Sequence, residues 1–155
     1  MSTDHVTNHS RITDYIIIGS DLCKGESCPV HSPVFRQMHV AAEIDLELEH
    51  DEPVTPHLDM YVRLPTADHE VPSQAQLRIA AHVIHEMVSQ GKNIYVHCRN
   101  GHGRAPTVVA AYFIQYEKMG VLAAVERIKS KRPEIHLEQS QMMALEEFQK
   151  RCRIN

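Results

Sequence analysis

The sequence predicts an α/β layered domain with a central, mainly parallel sheet of about four to five strands flanked by helices. Three observations lead there. Short β-branched or aromatic runs alternate with helical periodicities and then give way to consecutive helices. One cysteine, Cys98, stands where the apolar run 93–96 ends and a long apolar helix begins. The chain has 155 residues, 43% hydrophobic and 23% charged, which suits a single globular domain with a full core.

Taken in order, residues 1–11 form a polar tail without the apolar centre of a signal peptide, so a cytoplasmic protein is expected. The stretch 12–19 ends in Tyr15-Ile16-Ile17-Ile18-Gly19, a continuous apolar run closed by glycine, and reads as a strand. Ser32 as cap and Pro33 at the first helical position start a short helix through Met38. A second strand is expected over 40–48, where Ile44, Leu46 and Leu48 alternate before the acidic turn 49–52. A third spans 58–64, with Met60, Val62 and Leu64 on one face. Prolines then flank a loop, 65–72, that carries Asp68 and Glu70.

Ser73 and Gln76 form a capping box for a helix whose stripe is Ile79, Val83 and Met87, with Ala80, Ile84 and Val88 beside it, and Gly91 closes it. His82 and His85 fall at the stripe edges, as satisfied or solvated side chains do. The stretch 106–119 is apolar nearly all round and reads as a central buried helix ended by Gly120. An amphipathic helix over 121–131 follows, broken by Pro133, and 138–151 makes the last one through Met142, Leu145 and Phe148. The domain therefore covers 12–151, and 152–155 is a short tail.

A formal charge of −4 argues against a general nucleic-acid binder. No apolar run approaches the roughly 18 residues of a membrane span. The cysteines at 23, 28, 98 and 152 read as thiols rather than disulfides, because no secretion signal precedes them. Cys23 and Cys28 lack a second Cys/His pair at zinc-finger spacing, so no metal site and no cofactor is expected, and a role for one of these thiols in resolving an oxidised Cys98 stays open.

The chemistry concentrates in His97-Cys98-Arg99-Asn100-Gly101-His102-Gly103-Arg104. The first N–H groups of a helix have no internal partner, and the helix dipole favours negative charge there. Gly101 and Gly103 let the backbone curl so that successive N–H groups converge on an oxyanion. Arg104 adds a planar fork for two of its oxygens. The same field favours a thiolate, which makes Cys98 the candidate nucleophile.

These residues resemble the signature of the cysteine-based protein tyrosine phosphatases, His-Cys-x5-Arg, and specifically their small dual-specificity branch; the resemblance runs from about Asp14 to about Phe148. It implies a dual-specificity phosphatase-like fold and hydrolysis of phosphomonoesters through a cysteinyl-phosphate. It further implies Cys98 as nucleophile, Arg104 as phosphate ligand and Asp68 as general acid, with Glu70 as its rival. The substrate site would then comprise His97, Arg99, Asn100, Gly101, His102, Gly103 and Arg104. Most members carry Ser or Thr after the signature arginine, but this chain has Ala105, and Arg104-Ala105-Pro106 is similar to the slow phosphatases of regenerating liver. Slow hydrolysis of the intermediate is expected, with Thr107 as a substitute hydroxyl. The last four residues, Cys152-Arg153-Ile154-Asn155, do not make a prenylation box.

The expected substrate is a phosphoprotein carrying phosphotyrosine, with phosphoserine and phosphothreonine open to a shallow site. Arg99 and His102 at the mouth keep phosphoinositides and RNA 5′-phosphates as the alternative, and Ala105 keeps a slow, partner-binding phosphatase as another.

Overall fold

The computed structural model describes residues 8–21, 36–52, 54–55 and 57–154. Its elements are β1 (His9–Arg11), β2 (Ile16–Gly19), β3 (Val40–Glu47), β4 (Met60–Thr66), α1 (Gln74–Ser89), β5 (Asn93–His97), α2 (Arg104–Tyr116), α3 (Val121–Lys131) and α4 (Gln139–Ile154). The sheet order is β1-β2-β5-β3-β4; β1 is antiparallel to β2 and every other pair is parallel. The α/β layered fold with a mainly parallel sheet is therefore as the sequence predicts.

Strand alternation sends successive side chains to opposite faces. Ile16, Ile18, Ile94, Val96, Ala42, Ile44 and Leu46 join one large core, to which all four helices contribute. Ile17, Val40 and Tyr95 point the other way and make a small cluster with Met38 and Leu58. Helix α2 is the hub, packed against α1, α3 and α4, and its residues from Arg104 to Ile114 are buried.

Register fixes the site. His97, the last residue of β5, lies opposite Gly19 of β2 and Asp45 of β3. The carboxyl ends of three parallel strands thus meet where β5 turns into α2, the usual place for a ligand site in an open α/β sheet.

Several boundaries differ from expectation. His9–Arg11, placed in the polar tail, is an edge strand, held by register with 17–19 rather than by an apolar pattern of its own. Leu48 lies beyond β3 and is 56% exposed, and Ile79 is 47% exposed on the outer side of α1. Gly120 caps the start of α3 instead of closing α2, and α4 continues through Cys152 to Ile154. The capping box is present: Ser73 Oγ accepts from Gln76 N at 3.1 Å, and Ser73 N donates to Gln76 Oε1 at 2.8 Å. His82 and His85 meet Tyr116, one by a 3.2 Å hydrogen bond and the other by ring stacking at 4.0 Å. Cys23, Cys28 and most of the expected helix from Ser32 lie outside the described residues.

Candidate active site

The loop from Cys98 to Gly103 is held from outside by its carbonyls. Asp21 N donates to Arg99 O at 3.1 Å, and His136 N donates to His102 O at 2.7 Å. Between them, Arg132 reaches Asn100 O with Nη2 and Gly101 O with Nε, both at 2.9 Å. In a planar trans peptide the N–H that follows a carbonyl points the opposite way. Four outward carbonyls therefore turn the N–H groups of Asn100, Gly101, His102 and Gly103 inward, as an oxyanion cradle requires.

Gly101 has φ +71°, and a Cβ there would stand 2.6 Å from Gly19 O and 2.9 Å from Arg132 Nη2. Only glycine fits. Gly103 caps α2 without a side-chain hydrogen bond, which leaves the first-turn N–H groups facing the loop. Thr107 Oγ1 donates to Gly103 O at 2.7 Å, so this hydroxyl serves the backbone instead of replacing the one that Ala105 lacks.

Arg104 is 2% exposed and is held by its far end. Nη1 and Nη2 meet the Glu49 carboxylate at 3.1 and 2.8 Å, and Nη1 also donates to Thr66 O at 2.7 Å. Nε has no partner among the described residues, and Nη2 lies 3.4 Å from Asp68 Oδ1. The Nε/Nη2 edge is thus the one left for a phosphate. The Glu49 and Cys98 charges raise the guanidinium pKa despite burial, which opposes them.

Asp68 lines the cleft with a side chain 48% exposed, and its Oδ1 accepts from His69 N at 3.0 Å. Glu70, the rival acid, is not among the cleft residues; it presents its backbone O to Gln141 Nε2 at 3.1 Å. The cleft, about 190 Å³, has buried Cys98 among its lining, with Asn100, His102, Gly103, Arg104 and Asp68 from the expected set. His69, His136, Glu138 and Gln141 complete it. Arg99 is exposed beside the cleft and Gly101 is buried beneath it, so neither side lines it. His102 is pushed below its ordinary pKa by burial and then by Arg132, so it is neutral at pH 7 and adds no charge to the mouth.

His97 was expected at the substrate but is wholly buried behind the loop. Its Nε2 lies 2.7 Å from Glu43 Oε1 and 3.4 Å from Glu52 Oε2. Burial opposes its charge, but the Glu43 hydrogen bond and the surrounding carboxylates outweigh that and raise its pKa to about 10. As imidazolium at neutral pH it supports the strand end that carries Cys98. Glu43, Asp45 and Glu47 alternate with Ala42, Ile44 and Leu46, yet both faces of β3 are buried. Two triads here, Glu43–Glu52–His97 and Asp21–Glu47–His50, bring potential metal-ligand atoms within 4.8 Å of one another.

Arg132, Glu49 and Gln141 were not anticipated, since lone polar residues far apart in sequence carry no periodic signal.

Residues 25–151 match the family described as dual specificity phosphatase, catalytic domain. The chain belongs to this family. Within it, the chain is 42% identical over 86 residues to phosphatidylglycerophosphate phosphatase PTPMT2 of Arabidopsis thaliana, covering 55% of this chain and 38% of that protein. It is 38% identical over 90 residues to phosphatidylglycerophosphatase and protein-tyrosine phosphatase 1 of Rattus norvegicus, covering 57% and 47%. The chain thus spans less than half the length of these curated relatives. The crystal structure of PTPMT1 in complex with PI(5)P superposes with a TM-score of 0.82 at 24% identity, covering 94% of this chain and 97% of that one, a likeness of fold.

Proposed function

We propose that this phosphatase hydrolyses the terminal phosphomonoester of a phosphorylated glycerolipid headgroup, of the phosphatidylglycerophosphate kind. The observation that carries the reading is the 42% identity to a phosphatidylglycerophosphate phosphatase. The cleft supports it: its lining is imidazole, amide, carboxylate and guanidinium, with no Phe, Tyr or Trp ring among the described residues to grip a phosphotyrosine. Polar donors suit the hydroxyls of a glycerol headgroup. Arg104 is the one arginine or lysine in the lining among the described residues, which fits a single phosphomonoester better than a polyphosphorylated ring.

In the proposed mechanism the Cys98 thiolate attacks phosphorus in line. The inward N–H groups of Asn100 to Gly103 and the Nε/Nη2 edge of Arg104 hold the equatorial oxygens. The P–O bond to the headgroup breaks as S–P forms, and Asp68 delivers its proton to the leaving oxygen. Asp68, now a carboxylate, takes a proton from water, which attacks phosphorus and returns the thiolate. No hydroxyl at position 105 assists that departure, so the second step is the slow one.

The phosphoprotein reading that the sequence favours keeps two observations, the protein-tyrosine phosphatase in the name of the Rattus norvegicus relative above and 35% identity over 89 residues to dual specificity protein phosphatase 15 of Rattus norvegicus. Phosphate release from phosphatidylglycerophosphate vesicles, phosphoinositide vesicles, phosphotyrosyl and phosphothreonyl peptides and a 5′-phosphorylated RNA decides among them. The expected order puts phosphatidylglycerophosphate first in kcat/KM by at least tenfold, with Cys98→Ser inactive on all. A peptide preferred by a similar margin rejects the lipid reading.

A further inference from the structure

Behind the phosphate loop the fold buries an unusual amount of negative charge. Asp21, Glu43, Asp45 and Glu47 are each at most 2% exposed, and the Glu52 side chain is 2% exposed. Buried carboxylates are expensive unless a cation or proton answers them. Part of the cluster has its answer. His97 Nε2 stands 2.7 Å from Glu43 and 3.4 Å from Glu52, while Asp45 accepts from Tyr61 Oη at 2.8 Å and has Arg63 Nε at 3.9 Å.

Glu47 is different. Both of its carboxylate oxygens are buried with no N–H donor among the described residues, so that a proton shared with the Asp21 carboxyl is what answers them in the absence of an ion, and the buried Nε2 of His50 has no partner among the described residues. These atoms share one pocket with the Asp21 carboxylate, all potential ligand atoms lying within 4.8 Å of one another. Ligands about 2.1 Å from one ion stand roughly 3 to 4 Å apart, so side-chain shifts of about 1 Å close the set.

We propose that Asp21, Glu47 and His50 bind a divalent transition-metal cation of the Zn²⁺ or Mn²⁺ kind. Two carboxylates and one imidazole are the donor set such ions take, with water completing the shell. His50, half-buried in the turn after β3, gives the ion its way in from solvent. The ion answers the charge of Glu47, which no cation among the described residues meets at hydrogen-bond or ion-pair distance; the His97 imidazolium acts on it only through space. Its role is structural. Asp21 follows β2 and Glu47 ends β3, the two strands on either side of β5, so one ion ties both to the base of the site. Asp21 also donates its N–H to Arg99 O of the loop, which couples the ion to the cradle's shape.

The test uses the full chain stripped with chelator and then dialysed. Mn²⁺ is the first probe, because it favours oxygen and nitrogen over the cysteine sulfurs; Zn²⁺ is the second. Uptake is read by electron paramagnetic resonance for Mn²⁺ and by elemental analysis for both. Wild type should bind one equivalent saturably and melt higher with the ion than without it. Glu47→Gln and His50→Ala should weaken binding by at least the 10–100-fold typical of a lost outer-shell partner. Cys98→Ser and Glu52→Gln should leave binding unchanged, which excludes the catalytic thiol and the His97 triad as the site. His50→Ala, at a half-buried turn, carries the test should Glu47→Gln fail to fold. No saturable uptake of either ion by stripped wild type overturns the proposal, leaving Glu47 and Asp21 to share a proton. Uptake that His50→Ala and Glu47→Gln do not weaken overturns it equally.

Discussion

Replacing Arg132 by methionine tests whether the cradle is held from behind. The side chain is fully buried and its guanidinium spans two parts of the chain. Nε and Nη2 hold Gly101 O and Asn100 O, while Nη1 reaches Asn8 Oδ1 at 3.0 Å and Ser10 Oγ at 2.9 Å, next to or within the edge strand β1. Methionine fills similar volume but donates nothing, which leaves two buried carbonyls bare at about 1–3 kcal/mol each. The loss of stability should be about 4 kcal/mol, the range for breaking a buried charged network. For a domain of this size that lowers Tm by about 8–16 °C. Activity should fall further than folding accounts for. Once Asn100 O and Gly101 O are free to turn, the N–H groups of Gly101 and His102 swing out of the cradle, and a misplacement of about 1 Å costs about 10²-fold in rate. Arg132→Lys keeps the charge but reaches one carbonyl at most, and should fall between. Differential scanning fluorimetry and kcat on p-nitrophenyl phosphate below the variant's Tm measure both. An Arg132→Met protein that melts within about 2 °C of wild type and keeps kcat within twofold refutes the argument.

Two further outcomes follow from the site. Ala105→Ser restores a hydroxyl beside the cradle and should raise kcat several-fold while shrinking the pre-steady-state burst; an unchanged burst means that the second step is not limiting. In chelator-treated protein, stability should fall as pH rises. The folded pKa of His97, about 10 against 6.5, gives stability that is complete below pH 6.5 and lost towards pH 10. Glu52 and Glu47, raised by burial to about 7 and about 9, also hold protons longer in the fold and act in the same direction above pH 4.5. A Tm that stays level or rises between pH 6.5 and pH 10 contradicts this.

The phosphate loop was legible because its parts are contiguous. Strand β5, two glycines, Arg104 and an apolar helix follow one another within about two dozen residues, and each has a local pattern. What escaped depends on distance in sequence. Strand β1 has three residues and no apolar alternation, and it exists because β2 offers an open edge. Arg132, Glu49 and Gln141 converge from the end of α3, the turn after β3 and the start of α4. The acidic face of β3 misleads for another reason: alternation of Ala42, Ile44 and Leu46 with Glu43, Asp45 and Glu47 is the pattern of a strand with one wet side. Here His97 and the turn after β3 cover that side, and side-chain chemistry has to answer the charge.

The hold of Glu49 on Arg104 has a consequence for the end of the proposed catalytic cycle. A bare guanidinium would grip the departing orthophosphate tightly and leave the enzyme clogged with product. With a carboxylate docked on its Nη1/Nη2 end, the arginine offers geometry at reduced net attraction, so inorganic phosphate should leave readily and inhibit weakly, even though it fits the same cradle as the substrate.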